Sequence, residues 1–555
     1  MGTIAAMKSP TVSCAMILAF LLCALGAVYA DSATWNLHPI SNDWNTAANW
    51  TPNTVPNGPD DVATFGLSGH AGVLVSTDIE VSEVIFNAGA SPFTITVKWA
   101  LTISGIGITN NSGSTQNFVV TGPSRILYLT NNATAGENTL LTIRGGNGSD
   151  SHGGYISFLD TASADNGTFV IYGGETRNAS GGEIDFWDNS SAGNGSYTVK
   201  GASVGSGDSG YIYFEGSSTA ANGTFVVEGA TASSFFGGGV VFDLSGTATA
   251  GNSVFLINGS SISGAAGGFI GFSGGTAANA TLIANPGTSG GGGGTISFSS
   301  HGDGGEARSE LFGNGTLEIT YSDDEVTVGS IEGDGLVLLG TRKLITGSNN
   351  LSTTFSGTIQ DTGSLEKIGI STLTLTGANT YSGGTTVTEG ALKISNTSGS
   401  GTGTGAVQVN AGTVGGKGTV AGAVTVGTGS GAGAFLEPSI GVIKPSSLSI
   451  QSALTLKADS TYNYKVNTNK AKADKVIANG VTIDSGAQFN FVAVANKTLN
   501  LGKAFVAISN TAATPIIGTF ANLPDGSTFT VGPNTFQVNY EGGGDGNDLT
   551  LTVVP

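Results

Sequence analysis

The sequence predicts an all-β protein: a right-handed parallel β-helix (β-solenoid) with rungs of about 28 residues and a C-terminal β module. Three observations support this prediction. The segment NGTFVIYGG at 166–174 recurs at a constant interval, as NGSYTVKGA at 194–202 and NGTFVVEGA at 222–230. Glycine accounts for 90 of 555 residues, so turn signals interrupt short apolar blocks at regular intervals. No amphipathic helix pattern follows residue 30.

Each repeat reads as Gly-Gly, a strand, a polar loop, an Asn-Gly turn and a second strand. Phe158, Phe186 and Phe214 end the first strand in successive copies, so we expect their rings to form a ladder inside the solenoid. We expect the Asn-Gly turn to supply the positive φ angles of a sharp corner. A stack of antiparallel hairpin sheets is the alternative, because Asn-Gly is also a strong hairpin signal. The long loop between Phe158 and Asn166 favours the β-helix.

Residues 1–30 read as a cleaved secretory signal. Lys8 supplies a positive charge, an apolar stretch follows, and Val28 and Ala30 are the small residues that a cleavage site requires. The apolar stretch is shorter than the ~20 residues that a membrane span needs, so we expect no span in the mature chain. Both cysteines of the chain lie in this segment, so the mature protein is expected to contain no disulfide.

Residues 31–120 are predicted to form an N-terminal cap and the first strands. This region contains four of the five tryptophans, and three of them, Trp35, Trp44 and Trp50, lie close together in the sequence. Bulky indoles can plug the open apolar end of a solenoid. Carbohydrate stacking on the three indoles is the functional alternative.

The rest of the chain divides into three regions that differ in composition and repeat pattern. Residues 121–320 hold the solenoid repeats described above. The repeat pattern changes over 321–445, and the sequence leaves open whether this region continues the same solenoid. Residues 446–555 lose the glycine density and gain Phe, Lys and longer strands, which predicts a C-terminal β module.

The region 321–445 contains a specific motif. Its segments FSGTI at 355–359, GSLEKIG at 363–369 and TLTLTGANTYSGGTTVTEGALKI at 372–394 closely resemble the autotransporter-associated β-strand repeat. The resemblance implies a passenger-type β-helix that is displayed or secreted at a Gram-negative cell surface. Unlike an autotransporter, the chain ends at Pro555 without the alternating strands and aromatic girdles of a membrane barrel, so we expect no self-translocation.

The charge of the chain limits its partners. The formal net charge is −19, with only 20 Lys and Arg residues in the whole chain. A basic track for nucleic acid is missing, and anionic membranes are poor partners for the same reason. Extracellular polysaccharide or surface proteins remain the expected partners.

Candidate sites for chemistry are few. Asp160 and Asp188 occupy equivalent positions in adjacent repeats, and two stacked carboxylates could be bridged by Ca²⁺. Solvated turn acids are the simpler interpretation. A lyase would need a basic residue beside a carboxylate cluster, and the candidates are Arg144, Arg177 and Arg308.

From these observations we expect a secreted, non-enzymatic β-solenoid that acts as a structural or adhesive protein of the cell surface or extracellular matrix. No catalytic residue and no cofactor is predicted, apart from the possible Ca²⁺. A β-helix protein that binds or cleaves polysaccharide, in the manner of a lyase, is the alternative.

Overall fold

The protein is a parallel β-solenoid of about 17 turns, as predicted. The structure is a computed structural model that describes residues 31–122, 126–149, 151–234, 236–243, 246–431 and 433–555; the predicted signal at 1–30 lies outside them. Apart from one short 3-10 turn at Ala47–Asn49, the described residues contain only strands and connections. No helix in the described part of the chain could cross a membrane. The right-handedness of the coil stays a prediction.

Each rung passes through three sheets, called here A, C and B in chain order. Successive rungs pair in parallel, so the alternative of stacked antiparallel hairpins is wrong. Sheet A contains Ala33–Trp35, Gly58–Phe65, Ile79–Phe86, Leu101–Asn110, Ile126–Leu129, Tyr155–Phe158, Glu183–Phe186, Tyr211–Phe214, Gly239–Phe242, Phe269–Phe272, Thr295–Ser300, Thr316–Ser322, Leu336–Leu338 and Thr358–Gln360. The strand Trp50–Thr51 pairs antiparallel at its first edge.

Sheet B is the longest ladder. It contains Gly72–Val75, Thr94–Val97, Gln116–Val120, Thr139–Ile143, Thr168–Ile171, Ser196–Val199, Thr224–Val227, Val254–Ile257, Thr281–Ala284, Gly304–Leu311, Glu325–Gly333, Thr353–Phe355, Thr372–Leu375, Ala391–Ile394, Gly412–Gly416, Ala434–Leu436, Ser460–Asn467 and Gln488–Ala493. The short strand Lys472–Ala473 pairs antiparallel with Ser460–Asn467.

Sheet C changes character along the chain. In the early rungs it consists of single-residue bridges, such as Ser163 to Ser191 and Ser191 to Thr219. From Gly304 onward the bridges widen into strands because the first halves of Gly304–Leu311 and Glu325–Gly333 join it. It then contains Lys343–Thr346, Ser364–Lys367, Thr385–Val387, Val407–Val409, Val424–Val426, Leu454–Leu456 and Val481–Ile483.

The predicted rung length does not extend through the whole solenoid. Ile156 pairs with Ile184 and Ile184 with Ile212, at the predicted spacing. Further on, Leu317 pairs with Val337 and Val337 with Ile359, so the chain completes these rungs with fewer residues. The strands keep similar lengths, and the difference lies in the connection from sheet B to sheet A, called here the B–A loop.

The predicted boundary at 446 is not a boundary in the structure. Strand pairing is continuous from 321–445 into the following residues, and sheets B and C run on to Gln488–Ala493 and Val481–Ile483. Sheet A resumes, after two rungs without a regular strand, as Thr419–Val420, Ser447–Ile450, Lys475–Ala478 and Ala504–Asn510. The final strands, Thr528–Val531, Asn534–Gly542 and Asp548–Val554, pair antiparallel and form a terminal cap.

The core contains the predicted aromatic ladders. Phe158, Phe186 and Phe214 stack with ring centroids 4.7 and 4.8 Å apart, and the stack continues to Phe298. A second ladder begins with Phe169 and Tyr197, 4.7 Å apart. Stacked, offset rings add attraction beyond the burial of their surface.

The proposed role of the Asn-Gly turns is wrong. The positive φ angle falls on the residue before the asparagine, for example 52° at Asp165 and 59° at Gly193. The asparagines instead form an amide ladder on the outside: Asn194 donates to Asn166 and Asn222 donates to Asn194, at 3.3 and 3.2 Å. The repeated asparagine therefore ties adjacent rungs together.

Candidate functional site

Cavities line the edge of the solenoid where the B–A loops enter sheet A. One cavity of about 290 Å³ lies between the loop residues His152 and Ser180 and the outer face of sheet A. A second, of about 480 Å³, lies two rungs further along the same edge, beside Phe236 and Phe269. Both therefore open onto the outer face of sheet A.

The loop backbone between the two cavities is held close by glycine. A Cβ on Gly181 would lie 1.7 Å from the carbonyl oxygen of Ser209 in the next rung, so no other residue fits without moving the backbone. This explains the Gly-Gly that precedes the strands Tyr155–Phe158 and Glu183–Phe186, and it leaves the outer side chains of the sheet as the floor of the cavities.

The floor is an aromatic and acidic surface. The register places Tyr155, Glu183 and Tyr211 side by side in successive rungs, and Phe269 follows beyond Gly239. A Cβ at Gly239 would meet the Tyr211 ring, so this glycine makes room for the ring to lie flat. Asp185 and Tyr213 form the next column. We call Tyr155, Glu183, Asp185, Tyr211, Tyr213 and Phe269 the groove.

Carboxyl groups crowd the centre of the groove. The Tyr155 hydroxyl donates a hydrogen bond to Asp185, and burial together with that carboxylate raises the pKa of Tyr155. Burial, followed by the charge of Asp185, raises the pKa of Glu183 to about 7. Burial also raises the pKa of Asp185, and it raises the pKa of Tyr213 to about 12.

The pKa values of the two central carboxyls, Glu183 and Asp185, depend on each other. The Oδ1 atom of Asp185 is buried and receives no hydrogen bond from an N–H or hydroxyl group in the described residues. Glu183 lies two residues before Asp185 in the same strand, and the charge of Asp185 adds to the effect of burial in raising the pKa of Glu183.

The pair predicts a pH dependence. Because the folded state raises the pKa of Glu183 from 4.5 to about 7, the folded protein holds an extra proton in that window. The stability that Glu183 contributes is therefore greatest below its ordinary pKa of 4.5, and it is lost as the pH rises through about 7. Comparing melting temperatures from pH 5 to pH 8, we expect Glu183→Gln to lose less stability than the wild type. Glu318→Gln is the charge-matched control. Glu318 lies five rungs further along the column of Asp185, and the melting temperature of this variant should fall with pH as steeply as that of the wild type. Equal slopes of melting temperature against pH for Glu183→Gln and the wild type would contradict the raised pKa of Glu183.

The basic residues considered for a lyase lie elsewhere. Arg144 pairs with Glu175 at 3.5 Å and stacks on Tyr172. Arg177 donates to Ser206 at 3.3 Å. Neither cavity of the groove is lined by Lys or Arg.

Arg308 is also occupied. It pairs with Glu310 at 3.2 Å and with Glu332 on the next rung of sheet B. The sheet therefore holds this guanidinium between its own carboxylates, away from Asp160 and Asp188.

Asp160 and Asp188 lie at the corner between sheets A and C, as their equivalence predicted. Their φ angles are 56° and 53°. The Asp160 carboxylate accepts the N–H of Asn131 at 2.9 Å, and that of Asp188 accepts the N–H of Asp160 at 3.1 Å. Among the described residues no group of three or more His, Cys, Asp or Glu side chains is arranged to hold a metal. The geometry gives both carboxylates a structural role, and Ca²⁺ binding at them stays a prediction.

Trp35, Trp44 and Trp50 are buried at the N-terminal end, which corrects the carbohydrate-stacking alternative. The Trp35 and Trp44 rings lie 5.0 and 5.1 Å from the Trp50 ring, and all three pack on Phe65. The Trp50 indole donates to the carbonyl of Trp44 at 2.7 Å. Since the rings cover one another, a sugar cannot stack on them in this conformation, and they plug the end of the core.

The sequence did not single out the groove. Its side chains occupy outward positions that differ from copy to copy, so aligning the repeats hides them. A signal was available in the consecutive tyrosines of SGYIYF at 209–214 and the acids of GGEIDF at 181–186.

The motif at 372–394 has a structural explanation. Here sheet A lacks a regular strand, and the buried Asn379 side chain takes its place. It accepts the N–H of Ile359 at 2.8 Å and donates to the carbonyl of Gly401 at 2.6 Å, which links the rung before to the rung after. Nearby, Tyr381 and Thr385 share a buried hydroxyl hydrogen bond of 2.6 Å. The asparagine and the tyrosine of the motif therefore stabilise the interior of the solenoid through buried hydrogen bonds.

A buried lysine completes this region. The Lys367 ammonium donates to the carbonyls of Ile368 and Gly369, at 2.6 and 2.8 Å. Burial lowers the pKa of Lys367 to about 8. The lysine closes its own turn, and no substrate role follows from it.

Comparison with known proteins gives a match to a family model and a match to a solved structure. Residues 365–394 match the family model described as passenger-associated-transport-repeat. The crystal structure of the Haemophilus influenzae Hap adhesin matches at 9% identity with a TM-score of 0.31, over 91% of this chain and 65% of that chain. This chain thus spans slightly less than two thirds of the Hap chain. No curated protein matches. The resemblance seen in the sequence motif is confirmed: this β-solenoid carries a passenger-associated transport repeat at 365–394.

Proposed function

We propose that the protein is a secreted, non-enzymatic surface or matrix protein that adheres to polysaccharide through the groove. The observation that carries this proposal is the aromatic and acidic floor formed by Tyr155, Glu183 and Tyr211 on consecutive rungs, with Phe269 beyond Gly239. The predicted export signal at 1–30 and the transport repeat at 365–394 support secretion.

The groove has the chemistry of a sugar-binding surface. The rings of Tyr211 and Tyr213 lie 5.7 Å apart and nearly parallel, and both are only half buried, so they offer flat apolar surface to a pyranose. Glu183 and Asp185 offer carboxyl oxygens that accept hydrogen bonds from sugar hydroxyls. Because the carboxyls carry negative charge, a neutral polysaccharide suits the groove better than an acidic one. Repeated weak contacts along a polymer then add through multivalency.

The test removes the aromatic floor. The purified protein and its Tyr211→Ala/Tyr213→Ala variant are applied to immobilised neutral polysaccharides, with xylan, mannan and cellulose as the panel. We expect the variant to bind at least tenfold more weakly to the polysaccharide that retains the wild type. Tyr321→Ala is the control, since Tyr321 lies exposed on sheet A outside the groove, and it should bind like the wild type. Equal retention of the double variant, or retention of the wild type by none of the panel, would contradict the proposal.

Polysaccharide cleavage is the second candidate. His152, Tyr155 and Glu183 line one cavity, so groups that exchange protons meet at one place on the groove. The same incubations are therefore assayed for new reducing ends and for unsaturated ends. Their appearance with the wild type and their loss in His152→Ala would replace adhesion with cleavage as the function.

A further inference from the structure

Positive charge is concentrated in one part of this acidic protein. Residues 393–503 contain ten of the 20 basic residues but only four of the 39 acidic ones. This part therefore carries a net charge of +6, whereas the rest of the chain carries −25. Because charges separated by more than about 8–10 Å are largely screened at physiological salt, an anion near these lysines feels the local surplus rather than the charge of the whole chain.

Three of the lysines surround one cavity. Lys393, Lys417 and Lys444 line a cavity of about 450 Å³ at the same B–A edge as the groove, many rungs further along. Its floor is the outer side of sheet B, and its wall is an enlarged B–A loop at 437–446, called here the strap. The lining includes no acidic residue. In the described residues none of the three lysines forms an ion pair with a carboxylate.

The strap is fixed at both ends by one buried carboxylate. Asp474 accepts the hydroxyl of Ser439 at 2.7 Å and the N–H of Ser446 at 2.8 Å. Lys465 holds the middle, since its ammonium donates to the carbonyl of Val442 at 3.2 Å, and it also pairs with Glu437 at 2.6 Å. The pairing also neutralises Glu437, which directly precedes the lining residue Pro438. The cavity is therefore preformed, and an entering ligand need not order the strap.

We propose that this cavity binds an acidic sugar unit, one that bears a carboxylate or a sulfate. The three lysines supply positive charge for the anionic group. The hydroxyls of Ser395 and Ser447 can exchange hydrogen bonds with sugar hydroxyls, and Val442 with the two prolines of the lining offers apolar contact to the ring. The volume suits one or two sugar rings. This site differs from the groove in place and in ligand charge, so it goes beyond the proposed function.

The test uses defined oligosaccharides and calorimetric titration of the purified protein. An oligogalacturonate supplies carboxylates, a sulfated heparin oligosaccharide supplies sulfates, and a maltooligosaccharide is the neutral probe. We expect one or both acidic probes to bind, the neutral one not to bind, and the affinity to fall as salt rises. Lys417→Ala/Lys444→Ala should weaken binding at least tenfold, and adding Lys393→Ala should weaken it further.

The control removes the same charge from the same region. Lys470→Ala/Lys472→Ala changes two exposed lysines outside the cavity and should keep the affinity within about twofold of the wild type. The groove variant Tyr211→Ala/Tyr213→Ala should bind the acidic probe normally, which separates this site from the groove. Equal losses in the two lysine double variants would mean general electrostatic attraction and would overturn the proposal. Failure of both acidic probes to bind would also overturn it, without bearing on neutral polysaccharide in the groove.

Discussion

Phe214→Ala should lower the free energy of unfolding by about 3–5 kcal/mol. The ring of Phe214 lies between Phe186 and Phe242, at centroid distances of 4.8 and 4.7 Å, and meets Phe225 edge-on at 6.0 Å. Its removal leaves a cavity that rigid neighbouring rungs cannot fill, because their backbones are fixed by parallel pairing on both sides. Chemical denaturation followed by far-UV circular dichroism measures the loss, and limited proteolysis shows whether the opening is local to these rungs.

The control for this prediction is Tyr321→Ala. Tyr321 also lies in a strand of sheet A, but 67% of its side chain is exposed, so its loss should change the free energy of unfolding by no more than about 0.5 kcal/mol. A cost for Phe214→Ala as small as that of the control would mean that the ladder contributes shape rather than stability.

Asn379→Leu should cost at least about 2 kcal/mol, because two buried backbone groups lose their partners at once and each unpaired group costs about 1–3 kcal/mol. The amide of Asn379 is bonded to Ile359 and Gly401 on the two adjacent rungs. Leucine has a similar volume, so the loss reports the hydrogen bonds and not a cavity. Hydrogen exchange should show reduced protection at the amide of Ile359.

Asn490→Leu is the matched control for Asn379→Leu. Asn490 is exposed, and its amide bonds the side chain of Asn463 at 2.9 Å, which water can replace. Its substitution should leave stability nearly unchanged. Unaltered exchange at Ile359 in Asn379→Leu would show that the asparagine does not bridge the rungs.

The sequence predicted those parts of the fold that repetition determines. Phe158, Phe186 and Phe214 recur at one spacing because each must meet the same ring in the rung above and below. The shorter rungs after Thr316 could not be predicted from this period, since the number of residues per rung depends on the length of the B–A loops, which the spacing of the aromatic residues does not determine. The solenoid's continuation past 446 was missed because composition changes there while the strand pairing does not.

The candidate sites depend on features that repetition does not determine. Glu183 and Tyr211 become neighbours only through register, and the raised pKa of Glu183 follows from burial that composition does not report. The net charge of −19 for the whole chain gave no indication of the lysine cavity. Lys393, Lys417 and Lys444 follow one another at intervals close to one rung each, and that spacing was a readable signal.

The two ends of the solenoid bear on how the protein avoids self-association. A stack of parallel strands with an open end is a template for another copy, and growth by addition at such an end produces fibres. Here the first strand is closed by the antiparallel Trp50–Thr51 and the tryptophan plug. At the other end, the amide of Asn522 occupies both the N–H and the carbonyl of Phe489, each at 2.8 Å, so the last strand of sheet B offers no free pair of groups at that residue. A solenoid closed in this way can reach a high local concentration while its ends remain unreactive toward one another.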